Sequence, residues 1–250
     1  MKKALVYTFV FVLIQAVGGA LLMLPFEMGL FPKESPMRII VPTAVVGIIT
    51  IVVFLCTKWC EVSRHWIRTR PWFVLFWCVM AALGALIPSS WLQEQMPELP
   101  NFAETEFDLI MKNRLGYFVI GLLAPLAEEM VFRGAILRAL LRWNSRHWVG
   151  IAISALLFAL IHMNPAQMPH AFLIGLLLGW MYWRTDSIVP GVVYHWVNNT
   201  VAYVLYNFYP DPDMKLIDLF GNERTVLMAL GFSLLIFLPA LFQLNLRLRK

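Results

Sequence analysis

Charge is scarce in this sequence. Asp, Glu, Lys and Arg make up 14% of its 250 residues, where a soluble domain carries about a quarter. So few charges cannot coat a water-facing exterior. The 60% hydrophobic content and mean hydropathy of +0.71 exceed what one soluble core could bury. Cysteine is scarce as well. Cys56, Cys60 and Cys78 are three in number, lack CxxC spacing and sit in or beside apolar runs. That excludes a disulfide framework and a thiolate zinc site, and leaves small membrane-embedded packing residues. There is no HExxH, no internal repeat, no low-complexity tract and no long linker, so the chain reads as one membrane domain.

What is abundant is apolar sequence in runs long enough to cross a bilayer, for which a helix needs about 17–25 residues. Such runs lie near residues 4–25, 39–57, 72–88, 115–141, 148–163, 169–184, 188–207 and 225–246. The expected fold is therefore all-α, a polytopic integral membrane protein of about eight transmembrane helices. The first run follows Met-Lys-Lys and has no clear cleavage site before Pro25, so an uncleaved signal anchor is expected. With both termini cytoplasmic, thirteen basic residues fall in inner loops and six outside, the bias that membrane insertion favours. Arg64, Arg68, Arg70, Arg138 and Arg142 are on the inner side, while Lys33, Lys112 and Lys215 are outside. The outer loops are acidic, with Glu94 to Asp108 and Asp211 to Glu223. The pI of 9.2 thus follows from topology, and no nucleic-acid partner is needed to explain it. Trp59, Trp66, Trp72, Trp143, Trp148 and Trp183 mark inner-leaflet ends. Residues 1–112 form a three-helix flank, 113–207 hold helices four to seven, and 208–250 are an outer loop and last helix. The compact loops suit a bacterial inner (cell) membrane, and nothing specifies an oligomeric state.

The few intramembrane charges concentrate in Leu126-Ala-Glu-Glu-Met-Val-Phe-Arg-Gly. Each ionisable side chain at mid-span costs about 2.5 to 3.5 kcal/mol on insertion scales, so their presence calls for a use. At 100° per residue Glu129 and Arg133 share a face in the favourable order and neutralise each other. Glu128 points about 100° away from Glu129 and has no partner on its own helix. Two of only five histidines supply partners elsewhere: Phe158-x-x-x-His162 on helix five and His195-x-x-x-Asn199 on helix seven. His65 and His147 read as interface residues and His170 as solvated. Asn198, about 100° from Asn199, is set aside. The bland alternative is a polar cluster that pins helix packing and nothing more.

These three ordered motifs resemble those of the CAAX-protease and bacteriocin-processing family of intramembrane endopeptidases, which includes the Ras-converting CAAX endopeptidase. Asn164 after the histidine, the Gly175-x-x-x-Gly179 face and the Arg184-Thr185-Asp186-Ser187 turn add to the likeness, which spans about residues 115–205. In relatives the third turn residue is often Gly. The resemblance implies a peptide hydrolase acting on a membrane protein or peptide within the lipid bilayer. Glu128 would be the general base, His162 would hold the water, and His195 with Asn199 would stabilise the oxyanion. Glu129, Arg133 and Phe158 would support them. Burial that raises a carboxylate's affinity for protons, and preorganised donors in a dry site, make those roles chemically sensible. Relatives are commonly labelled metalloproteases, and His162, His195 and Glu128 or Glu129 would make a zinc set with an open water position. The metal-free glutamate mechanism is the preferred version. From another class, a proton-coupled carrier could use the same Glu/His cluster as a relay, although carriers commonly show an internal repeat.

Overall fold

The computed structural model describes residues 1–32, 34–61, 72–209, 211 and 214–248. Arg64, His65, Trp66, Arg68 and Arg70, together with Lys33, Asp213, Arg249 and Lys250, lie outside the described residues. Within them the chain is helical throughout: α1 Lys2–Glu27, α2 Met37–Cys56, α3 Trp72–Glu94, α4 Glu104–Met111, α5 Arg114–Trp143, α6 His147–Leu160, α7 Met168–Thr185, α8 Val189–Phe208, α9 Leu216–Phe220 and α10 Glu223–Arg247. Every apolar run of the sequence is a helix. Five of them, α1, α2, α3, α5 and α10, have the length and hydropathy to cross a membrane. The other three differ for identifiable reasons. At 14 residues α6 is short, while His170 and Arg184 in α7 and His195 with three asparagines in α8 lower their hydropathy.

Burial ranks the helices. Half of the apolar window of α5 is buried, against 11% for α1 and 17% for α10. The centre of the bundle is therefore α5, and the peripheral helices turn side chains such as Phe9, Phe232 and Leu235 outward. Exposed apolar surface on this scale has lipid as its natural solvent. Around α5, one core gathers Phe11, Phe54, Phe132, Leu137, Ile151 and Tyr182. A second core packs α3 against α7, α8 and α10 through Cys78, Leu178, Tyr194 and Leu244. Small residues permit the closest approaches. A Cβ on Gly84 would meet the Phe237 backbone nitrogen at 2.6 Å, and one on Gly179 would meet Ile151 at 2.9 Å. The Gly175-x-x-x-Gly179 face is thus where α7 lies against α6.

Contacts sort the helix ends into two groups. At one end Glu61 pairs with Arg138 (2.8 Å), Tyr7 packs on Trp59, His147 stacks on Trp183, and Arg184 donates to the Asn245 and Leu248 carbonyls. At the other, Arg38 pairs with Glu27, Glu94 accepts from the Leu216 N–H, Asp108 accepts from Tyr206, and Asn164 accepts from the Phe102 N–H. Consecutive long helices therefore alternate in direction. The described basic residues assigned above to inner loops share the first end, and the acidic segments share the second.

One departure from ideal geometry bears on the site. Within α5 the residues Phe118–Leu123 and Met130–Leu137 are π-helical, as are Ile14–Gly18 in α1. Such wide turns inside α-helices are frequent at functional positions. From Met130 onward the 100° step no longer applies, so residue angles around Glu128 and Arg133 are set by the backbone rather than by an ideal wheel.

Candidate active site

The second π segment of α5 begins directly after Glu129. Arg133 Nη1 donates to Glu129 Oε1 at 2.6 Å, with both side chains sealed from solvent. The guanidinium is held on two further sides. Nη2 donates to the Gly175 carbonyl of α7 (3.3 Å), and its carbon lies 4.5 Å over the Phe158 ring of α6. Three helices therefore converge on one buried cation, which satisfies a charge that would otherwise cost several kcal/mol.

His195, on α8, stands between the two acids. Its Nδ1 is 3.3 Å from Glu129 Oε1, and its Nε2 is 3.7 Å from Glu128 Oε2. An ionised carboxylate can only accept, so the bond to Glu129 places a proton on Nδ1 and aims Nε2 at Glu128. Gly191, one turn earlier on α8, makes this possible, because a Cβ there would fall 2.6 Å from Glu129 Oε2. The carboxylate thereby rests against the first turn of α8, whose free N–H groups carry partial positive charge. Glu129 Oε2 itself is buried with no hydrogen-bond partner.

His162 lies just beyond the end of α6. Its Nδ1 is 2.8 Å from the Phe158 carbonyl. A carbonyl only accepts, so here too Nδ1 carries the proton and Nε2 keeps its lone pair in the neutral ring. Phe158 presents its ring at nearly right angles to both His162 and His195, with centroids 5.0 and 5.8 Å away. Asn199 Nδ2 donates to the Ile120 carbonyl (3.0 Å), and its Oδ1 accepts from Asn198 (3.3 Å).

Glu128, His162, His195 and Asn199 all line one cavity of about 280 Å³. The cavity also holds residues that motif spacing set aside. His170 faces it from the first turn of α7, and Asn198 borders it beside Asn199. His170 is half-buried among site residues instead of solvated; no local signal in the sequence distinguishes the two, because which way the first turn of α7 faces is set by packing. Asn198 was missed because a 100° offset does not take a side chain out of a cavity that spans more than one helix face. Phe107 and Met111 of α4 close the outer side, and Asn164 ties the preceding segment down through Asn101 and Phe102. A second cavity, about 240 Å³, adjoins on the α1 and α2 side, lined by Gln15, Thr43 and Gly47. Glu128 and His162 border both cavities and form the partition between them.

The proposed zinc set does not assemble. Among the described residues no three of His, Cys, Asp and Glu are gathered as a metal would require. Glu129 Oε1 is taken by Arg133 and His195. The metalloprotease version is therefore unsupported by this donor geometry.

An all-helical bundle of membrane type thus gathers one acid and three imidazoles at a cavity, with the second acid, Glu129, hydrogen-bonded behind His195. Residues 111–201 match the family described as type II CAAX prenyl endopeptidase Rce1-like, a family of proteases. The match spans the end of α4, all of α5 to α7 and most of α8, leaving α1, α2, α3 and α10 outside it. No protein of curated function and no solved structure matches the chain. What the match over this segment implies is intramembrane proteolysis and a protein or peptide substrate.

Proposed function

We propose that the protein is an intramembrane endopeptidase that hydrolyses a peptide bond of a membrane-associated protein or peptide with a carboxylate-activated water. The observation that carries this reading is the convergence of Glu128, His162, His195 and Asn199 on one cavity. Of the two acids, Glu129 is committed to Arg133 and His195, whereas the Glu128 side chain is 20% exposed to the cavity side. Glu128 is the general base. It takes a proton from water, the resulting hydroxide adds to the scissile carbonyl carbon, and the same carboxyl returns the proton to the leaving amine as the C–N bond breaks.

His162 holds the water by accepting a hydrogen bond at Nε2 from the O–H that is not transferred to Glu128. The oxyanion is met by Nε2–H of His195 in its doubly protonated form, which Glu129 at Nδ1 and the Glu128 carboxylate 3.7 Å from Nε2 both favour, and by the second amide proton of Asn199. Glu129 and Arg133 fix the tautomer and angle of His195. In this reading the eight apolar helices α1, α2, α3, α5, α6, α7, α8 and α10 all cross the bilayer of a bacterial inner membrane, with both termini cytoplasmic. Residues 1–112 flank the catalytic core of 113–207, and 208–250 complete one domain. The separation of basic and acidic helix ends supports this orientation.

Comparing membrane peptides by mass spectrometry in cells with the wild-type protein or Glu128→Gln tests the reading. Loss of specific cleavage products by at least about 100-fold at equal protein level is expected. Unchanged products would remove Glu128 as the base. Proton flux in proteoliposomes that depends on Glu128, without any cleavage, would assign the cluster to a carrier instead.

A further inference from the structure

A separate cavity of about 850 Å³ opens at the end of the bundle where α1 begins and α2 and α5 end, away from the Glu128 cluster. Five of its lining residues are cationic: Lys2 and Lys3 from α1, Lys58 after α2, and Arg138 and Arg142 from the last turns of α5. In a chain with 20 basic residues, that is a quarter of the positive charge in one concavity. Among the described residues Glu61 accepts from Arg138 Nη2 at 2.8 Å and Asp186 acts on the same guanidinium from farther away, two carboxylates against five cations, while Arg138 Nη1 is buried without a hydrogen-bond partner. Unbalanced cations so close together repel each other and favour an anion between them. Neither the catalytic reading nor the family-matched segment accounts for this concavity, because half its wall comes from α1 and the end of α2.

We propose that this cavity binds the phosphate headgroup of an anionic phospholipid. Guanidinium forks and lysine ammonium groups are the side chains that recognise phosphate. Trp59 and Trp143 line the same cavity, and indole rings favour the headgroup level of a bilayer. A basic pocket between membrane helices at the cytoplasmic side suits an anionic headgroup. The geometry favours a lipid over free phosphate. Val6 lines the cavity, and from it Phe9 and Leu13 continue along one face of α1, all three strongly exposed. Spaced three and four residues apart, they make an apolar track that acyl chains can follow once the headgroup is seated. A lipid so placed braces α1 against α5, the helix that carries Glu128.

The test uses the full-length protein in a neutral detergent with three probes: dioleoylphosphatidylglycerol, dioleoylphosphatidylcholine and inorganic phosphate. Native mass spectrometry should retain phosphatidylglycerol on the wild type, and thermal unfolding should shift upward by about 3 °C or more with that lipid alone. Lys3→Glu with Arg142→Glu should reduce retention at least tenfold. Arg224→Glu, an equal change of charge per site at the opposite end, should leave it intact. If the double variant does not accumulate, the milder Lys58→Gln and Arg142→Gln carry the same comparison. Equal retention of phosphatidylcholine, or phosphatidylglycerol binding indifferent to these substitutions, would overturn the proposal. Stabilisation by inorganic phosphate equal to that by the lipid would overturn the lipid assignment. None of these readouts depends on proteolysis, so the outcome is independent of the catalytic reading.

Discussion

Gly191 on α8 stands where a side chain would strike the Glu129 carboxylate: a Cβ there would lie 2.6 Å from Oε2. The glycine sets the distance between α5 and α8, and with it the reach of His195 to both acids. Gly191→Ala should push Glu129 or α8 aside, destabilising the fold by about 1 to 3 kcal/mol, the usual range for overpacking. Cleavage should fall further than the melting temperature predicts, because His195 moves with α8. Thermal melts and cleavage assays on the same preparation check this.

Arg133 and Glu129 neutralise each other in a fully buried setting. Arg133→Met alone strands a carboxylate in an apolar environment and should destabilise by about 3 to 5 kcal/mol, enough to lower the amount of folded protein sharply. Arg133→Met combined with Glu129→Gln removes both charges and should recover much of that stability. Activity should stay low in the double variant, because His195 loses the acceptor that orients it. Folded protein by size-exclusion chromatography, measured beside cleavage, separates the two effects.

The cysteines differ in reactivity for structural reasons. Cys56 is exposed, while Cys60 and Cys78 are buried. Burial pushes the Cys60 thiol up to about 12, so near neutral pH the reactive thiolate is essentially absent. A Cβ on Gly134 would sit 2.3 Å from Cys60 Sγ, which shows how tightly the thiol is packed against α5. Maleimide at neutral pH should modify one cysteine per folded chain, at Cys56, and all three after denaturation. Peptide mapping reads this directly.

At the roof of the cavity, Asp108 on α4 accepts from Lys112 (2.8 Å) and from Tyr206 of α8. These bonds, Lys112 first, hold the Asp108 carboxyl below its ordinary value of 3.8. A lowered folded-state value means that the stabilisation is present above the unfolded value and is lost as pH falls through the folded one. The α4–α8 clasp should therefore hold at neutral pH and loosen in acid below about pH 4. Tyr206→Phe should move that loosening upward in pH, as hydrogen exchange of residues 104–111 would register.

Much of the architecture was legible in the sequence because the bilayer imposes a simple rule: apolar runs of sufficient length become helices with their backbone bonds satisfied internally. Each of the expected runs is helical. The polar helices α7 and α8 fall short of the hydropathy of a self-sufficient span for the same reason that they hold the site. Motif spacing also brought Glu129 to Arg133, since four residues return to one face even through a π turn.

Spacing along one helix says nothing about which helices meet, and there the sequence stopped. That His195 sits between the two acids, that Phe158 lies under Arg133 and edge-on to both imidazoles, and that His170 and Asn198 share the cavity were decided by packing. So was the gathering of five cations at the far end of α5. Composition and periodicity determined that this chain folds as apolar helices with a few costly charges. The tertiary structure decided where those charges go, because distances between residues on different helices are set by ridge, groove and glycine contacts that no local pattern encodes.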